Sequence, residues 1–495
     1  MKNRLNSRCK LLFLMFWTFL FTVAKAQPNL AFYPLEDQFN SFDYNPAFLT
    51  SPEKFTFSLA PLAGMHVGYN NQRLINSLVS KFLKGVITNQ DYKNVFTSMV
   101  NQNYFQQDIE GSWLSFTYRS EKGFFNFRIK DSEYFLAKVE GDATKFIFNS
   151  DITSTVIGKI QHLPAQSAHY REYSLGYAYE SPSKRLKAGI RGKLYFGKFA
   201  FFSTISGSIQ EDPNAPNNFH LRTSGVLNIS FPDNTIETPN DTTNTIVFSS
   251  STIFRYLLNS GNPGLGVDLG INYQLSPELS FSASIIDLGK INWKSNLNSR
   301  SLNDTYPLDP GTYNVSNVGG VPTINKIGEF TYSDSFDFSR LSHFESSFSK
   351  PLPLKLYAGV KYQVDPRFSL SLTDKYVVIK DLSYNNIAVT ASFDVNKKLS
   401  LSSGYTFMGG SYFNIPLGLL YQGNFSQIFL ATDNLTSFLF PSYAEYAGFS
   451  FGVCFYLFTR KNLYLKPSDE TPFYRPRKII KNRKSGLIIK PSPIQ

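Results

Sequence analysis

Residues 262–293 set a pattern that recurs along the chain. Leu265, Val267, Leu269, Ile271, Tyr273 and Leu275 alternate with Gly266, Asp268, Gly270, Asn272 and Gln274. Ser276, Pro277 and Glu278 turn the chain, and Leu279, Phe281, Ala283 and Ile285 then alternate with Ser280, Ser282 and Ser284. Successive side chains of a strand point to opposite faces, so this hairpin has one apolar face and one of Gly, Ser, Asn and Asp. A soluble sheet shows that split with its polar face in water. A membrane barrel shows it with its apolar face in lipid.

The same alternation predicts strands at 55–69 (interrupted at Pro61), 111–119, 125–139, 172–180, 184–196, 199–209 and 221–231. Beyond the hairpin it predicts 353–364, 368–378, 386–395, 398–407, 417–422, 425–431 and 446–458. Residues 27–54 show turn residues without a clear period and read as an extended lead-in. Within 72–101, Leu74, Leu78, Val79 and Phe82, then Tyr92, Phe96, Met99 and Val100, recur at helical spacing. Two short helices are expected there, as a plug or at a rim. Residues 232–261 and about 290–350 read as long polar loops. The expected fold is therefore all-β: an antiparallel transmembrane β-barrel of about 14–16 strands, with those helices and long outer loops.

Loop lengths carry the topology. Short turns follow at 276–278, 365–367, 396–398 and 423–424, separated by longer connections. Barrels of the outer membrane have short periplasmic turns and longer outer loops, which places both termini in the periplasm. Closure also answers a physical need. An unpaired backbone N–H or C=O in lipid costs several kcal/mol, and only a sheet that returns to its first strand avoids two such rows. In 446–458, Ala447, Phe449, Phe451, Val453, Phe455 and Leu457 would face outward.

Composition sharpens this reading. Charged residues are 17% against about 25% in ordinary soluble domains. Aromatics reach 16%, which suits an apolar band ringed by aromatic girdles. Lys2, Arg4, Arg8 and Lys10 precede an apolar run from Leu11 to Val23, and Ala24-Lys25-Ala26 follows. Residues 1–26 thus read as a signal peptide cleaved between Ala26 and Gln27. Cys454 is then the remaining cysteine and is expected on the polar face as a structural thiol. The net charge of +12 divides into +5 for the signal, +8 for 460–495 and −1 for the body 27–459 (12 − 5 − 8). The basic character therefore belongs to the tail, a periplasmic extension that either stays solvated or meets phospholipid head groups or a periplasmic partner. Export argues against nucleic acid.

Asn45-Pro46-Ala47 is similar to an element found in several Bacteroidota-type outer-membrane barrels. The stretch from Asn262 to Trp293, with its GxGVDLG and SIIDLGKINW pieces, resembles an uncharacterised barrel family of that group. That family looks related in fold to FadL-type long-chain fatty-acid transporters and to barrels associated with type IX secretion. The resemblance implies a barrel and leaves function open, because one fold hosts many functions.

No Walker, dinucleotide-loop or G-x-S-x-G pattern is present. His66, His162, His169, His220 and His343 are scattered, with no metal-ligand spacing among them. The expected protein is not an enzyme and needs neither metal nor cofactor. Its polar faces carry the suggestive residues: Lys187, Arg191, Lys193, Lys355 and Lys361, with Asp268 and Asp394. They would either attract an anionic solute, such as a carboxylate head group, or pair with one another in a plugged lumen. Two functions follow: a FadL-like barrel binding or transporting a hydrophobic or amphipathic small molecule, or a scaffold for a secretion or surface protein. Outer-membrane lipid surrounds either.

Overall fold

The computed structural model describes residues 30, 32–51, 53–70, 104–138, 159–160, 165–212, 215–231, 255–308, 312–318, 321–327, 342–379, 383–408, 411–440, 444 and 446–457. The signal cleavage site, the helices expected within 72–101 and the basic tail lie outside these residues.

Fourteen antiparallel strand positions close into a ring. The first is a broken strand, Phe55–Leu59 and Met65–Asn70. Next come Tyr104–Arg119, Gly123–Lys138, Ala165–Glu180, Leu186–Ser203, Pro263–Gln274, Leu279–Trp293 and Leu354–Asp365. Phe368–Val378, Tyr384–Asp394, Leu399–Met408, Leu417–Gln422, Ser426–Thr432 and Tyr446–Leu457 complete it. The last strand returns to the first, with Phe55 opposite Leu457 and Met65 opposite Phe451. Both chain ends of the ring therefore lie beside the short turns.

The count settles at the lower end of the expected range. Of the strands expected at 199–209 and 221–231, residues 199–203 extend the wall strand Leu186–Ser203, while the hairpin Ser206–Asp212 and Ala215–Ser230 stands beyond the ring, pairing with Ser299–Leu308. Strands also occupy part of the polar stretch read as a loop at about 290–350, including Ser342–Phe344 and Phe348–Pro351. Alternation marks an extended chain with two different faces, not whether one face meets lipid.

The outward face is apolar. Phe127, Leu175, Ile190, Leu265, Ile271, Phe281, Leu372, Val389, Phe407 and Leu430 are exposed around the circumference. The final strand alternates as expected, with Ser450 and Cys454 buried and Phe455 exposed. No helix among the described residues is long and apolar enough to cross a membrane.

The lumen is filled from the chain's own N-terminal side. Residues 32–51, within the stretch read from sequence as an extended lead-in, coil through two 3₁₀ turns, Ser41–Asp43 and Pro46–Phe48. Leu30, Phe32, Tyr33, Phe39, Tyr44 and Phe48 pack against Ile286, Tyr357, Ala388, Leu420, Phe429 and Cys454 from the wall. The small inward residues of the wall now have a purpose. A Cβ on Gly270 would lie 2.0 Å from Asn45 Oδ1, and one on Gly189 would lie 2.3 Å from the Pro46 carbonyl carbon. At these two glycines the plug backbone comes closer to the wall than any side chain would allow.

Two irregularities shape the wall. Residues 60–64 leave the first strand, but Ala60 N–H donates to Trp113 O, Ser112 N–H to Gly64 O and Val453 N–H to Leu62 O, so the ladder is bridged. A bulge in the hairpin shifts register between Val267 and Leu269, and Ile286 and Asp287 both turn inward. Asp287 adopts φ +62°, a left-handed conformation that Asp tolerates better than most residues. The IIDLG stretch is therefore a bulge that re-aims a carboxylate into the lumen.

Candidate functional site: the charged lumen and the cavity above it

The inward carboxylate of Asp287 joins an alternating chain of charges. Arg128 Nη1 reaches Asp43 at 2.5 Å, and Asp43 reaches Arg191 at 3.0 Å. Arg191 Nε donates to Asp268 at 2.6 Å, and Lys193 lies 3.0 Å from Asp268, 2.5 Å from Asp287 and 3.2 Å from Glu172. Lys355 connects Asp287 at 3.0 Å to Glu110 at 3.5 Å, and Lys130 lies 3.1 Å from Glu110. Five cations thus face five carboxylates. Strict alternation is what makes such burial tolerable, because an ion removed from water needs opposite charge close by. Asp268 also accepts the Asp287 backbone N–H at 2.7 Å, so the bulge and the charges fix each other.

Four of the seven lumen charges singled out from the sequence meet in this network: Arg191, Lys193, Asp268 and Lys355. The others sit nearer the short-turn rim. Lys361 donates to Pro34 O at 2.9 Å and lies 3.5 Å from Glu36 in the plug. Lys187 is 3.5 Å from Glu180, and Asp394 accepts from Ser400 at 2.5 Å. Sequence reading did not single out Asp43, Glu110, Glu172 or Asp287. The first lies in a segment without period, and the last sits at the bulge, where alternation breaks.

On the loop side of this network lies a small cavity of about 40 Å³ that opens outward. Tyr134, Leu136, Tyr170, Val377 and Ile379 form apolar walls, and Asp108, Glu110, Lys355 and Lys375 form a charged floor. Glu110 and Lys355 join the floor to the network beneath. Beside the floor, His66 Nδ1 contacts Ser450 Oγ at 2.6 Å and Nε2 contacts Asp108 at 3.1 Å. The trio has hydrolase-like composition. However, Ser450 lies within a ladder paired on both sides, to His66 and to Ala431, so neighbouring backbone N–H groups are spent on the sheet rather than gathered for an oxyanion. No group of three or more His, Cys, Asp or Glu suited to a metal occurs among the described residues.

Outside the barrel, another unforeseen cluster faces away from the lumen. Arg171 donates to Asp131 through Nε at 2.7 Å and Nη2 at 2.8 Å, Trp113 Nε1 donates to the same carboxylate at 2.8 Å, and the guanidinium lies over the Trp113 ring at 5.2 Å. It stands above Phe125, Phe127 and Ile129 on the same outward face.

Among solved structures, the chain is similar to the Pseudomonas putida toluene transporter TodX, with 11% identity and TM-score 0.36 over 83% of this chain and 92% of that one. It is similar to a deltaS2 mutant of the TodX monoaromatic hydrocarbon channel, with 12% identity and TM-score 0.40 over 83% and 92%. It is also similar to the Ralstonia pickettii toluene transporter TbuX, with 12% identity and TM-score 0.35 over 83% and 91%. No curated protein matches the sequence. Residues 46–433, from the plug to the end of the thirteenth strand position, match a single family profile, and the chain belongs to that family, the Family of unknown function (DUF5723).

Proposed function

We propose that this protein is an outer-membrane β-barrel that binds an amphipathic small molecule reaching it from the loop side, as the first step of FadL-like uptake. The observation that carries this reading is the cavity with aromatic and aliphatic walls over a floor where Lys355 and Lys375 stand beside Asp108 and Glu110. Such a chamber suits an apolar body with a polar or anionic end, because the walls remove hydrocarbon from water and the floor supplies charge-assisted hydrogen bonds. The short turns then face the periplasm, together with both termini and the basic tail, and the outward apolar face is solvated by outer-membrane lipid.

A second reading has its own support. The plug fills the lower lumen, and strands such as Ser299–Leu308 and Ser342–Phe344 extend the sheet beyond the ring, where a secretion or surface protein would meet them. In that reading the barrel is a scaffold.

Organic extraction of barrel purified from native membranes, followed by mass spectrometry, separates the two. A stoichiometric amphiphile, lost when Tyr134 and Tyr170 are both changed to Ala, is the expected result. An empty barrel that co-purifies with secretion components would transfer the assignment to the scaffold.

A further inference from the structure

The plug meets two very different flanks. Its polar anchors lie on other strands and at the short-turn rim: Asp43 to Arg128 and Arg191, Asn45 to the carbonyls of Ile271 and Ala283, Glu36 to Asn272 and Lys361, and Gln427, which accepts from Phe39 N–H at 2.7 Å and donates to Asp37 O at 2.9 Å. The other flank consists of three neighbouring strands, Phe368–Val378, Tyr384–Asp394 and Leu399–Met408. Their inward faces form rungs of small hydroxyl residues. Ser369 is opposite Ser392, which is opposite Ser402. Ser371 is opposite Thr390, and Thr406 is reached from Thr373 across Ala388.

The hydroxyls of Ser371, Thr373, Thr390, Ser392, Ser402 and Thr406 have no hydrogen-bond partner among the described residues, and none of the six residues is more than 8% exposed. Orphan hydroxyls occur elsewhere, as at Ser132 and Ser174, but those two are not cross-strand neighbours. A dry wall would gain from Ala and Val at such positions, since a buried hydroxyl without a partner is destabilising. A wall that is wetted when the plug shifts gains from hydroxyls. The ladder also has meaningful ends. Lys375, next on the same face above Thr373, lines the loop-side cavity, and below Ser392 lies the Asp394–Ser400 pair.

We propose that this ladder is a polar track, along which a small neutral or anionic solute, or the polar head of an amphiphile, passes the plug from the cavity to the short-turn end. The proposal rests on reading the barrel as a solute-binding protein. Hydroxyls both donate and accept, so they hold a moving polar group without trapping it, and Lys375 favours anions at the upper end. The plug would part from this flank while its ionic anchors keep it on the other.

The test uses single cysteines in a Cys454→Ala background of the full mature chain, reconstituted in liposomes and treated with small water-soluble methanethiosulfonates. Heat-dependent gel mobility confirms that each variant is folded. We expect Thr390→Cys and Ser402→Cys to react roughly tenfold faster than Ser115→Cys, an equally buried inward position on the Tyr104–Arg119 wall, as expected for local opening confined to one flank. Equal rates at all three positions, or inert track cysteines, overturn the proposal. Thr390→Val with Thr406→Val provides a second measure. The isosteric loss of unpartnered hydroxyls should raise the melting temperature while slowing reagent entry, whereas a lower melting temperature would mean the hydroxyls are bonded and structural. Because the probes need no natural ligand, the outcomes separate. Labelling along the ladder in a barrel that binds no amphiphile removes only the amphiphile reading, and an inert ladder in a barrel that does bind one removes the track.

Discussion

The side-chain amide of Asn45 donates to the Ile271 carbonyl at 3.1 Å, across 226 residues of chain. Its Oδ1 accepts from its own turn, at Ala47 N–H. One residue thus caps the plug's 3₁₀ turn and attaches it to the wall, above a glycine that leaves room for it. We expect Gly270→Val to unseat the plug, because the added carbons would overlap Asn45 and Pro46. Overpacking of this kind costs about 1–3 kcal/mol or more. Limited proteolysis checks it: residues 30–51 should become cleavable in the variant while the barrel stays intact.

The bulge offers a separation of backbone from charge. Asp287→Asn keeps a residue that tolerates φ +62° but withdraws the carboxylate from Lys193 and Lys355. Asp287→Ala withdraws the carboxylate and adds backbone strain. Both should destabilise, Asn by about 3 kcal/mol as expected for breaking a buried ion pair, and Ala by more. Urea unfolding of barrel in lipid vesicles orders the two.

Depth dependence tests the membrane itself. Ile271, three residues from the short-turn end of its strand, is 45% exposed on the outward face. Ile271→Arg should cost about 2–4 kcal/mol in lipid, the range for a charge facing the bilayer midplane. A neutral effect would show that this face is not in hydrocarbon.

At the cavity floor, Lys375→Met removes the charge while keeping much of the side-chain length. Amphiphiles ending in a carboxylate should bind about tenfold more weakly, near the lower end of what a charge-assisted hydrogen bond contributes. Those ending in a neutral group should be unaffected. Titration with matched acid and alcohol pairs reads the difference directly.

Much of the barrel was legible because lipid and lumen impose opposite demands on alternate residues. Ser276-Pro277-Glu278 and Asp365-Pro366-Arg367 fell at the short turns for that reason, and Arg191, Lys193 and Asp268 fell on the inward face. The plug was not legible. Leu30 to Leu49 follow no repeat, since their partners come from many strands at once, and a segment surrounded on every side needs no periodic face. The pairing of individual charges escaped too, because partners such as Asp43 and Arg191 are brought together only when the ring closes.

The Asp131–Arg171–Trp113 cluster has a consequence for the bilayer. Eight residues separate Gly123, beside a short turn, from Asp131. At a rise of about 3.4 Å per residue and a tilt of about 40°, that is roughly 20 Å along the membrane normal. A bilayer around the barrel would end its hydrocarbon near that height on this side, because the ion pair and the indole N–H belong among head groups. A thick, sterol-rich bilayer would have to thin by several ångströms to fit, whereas the bacterial outer membrane is already thinner than average. The height of this one ion pair thus makes a thin bilayer the one such a barrel would enter at least cost.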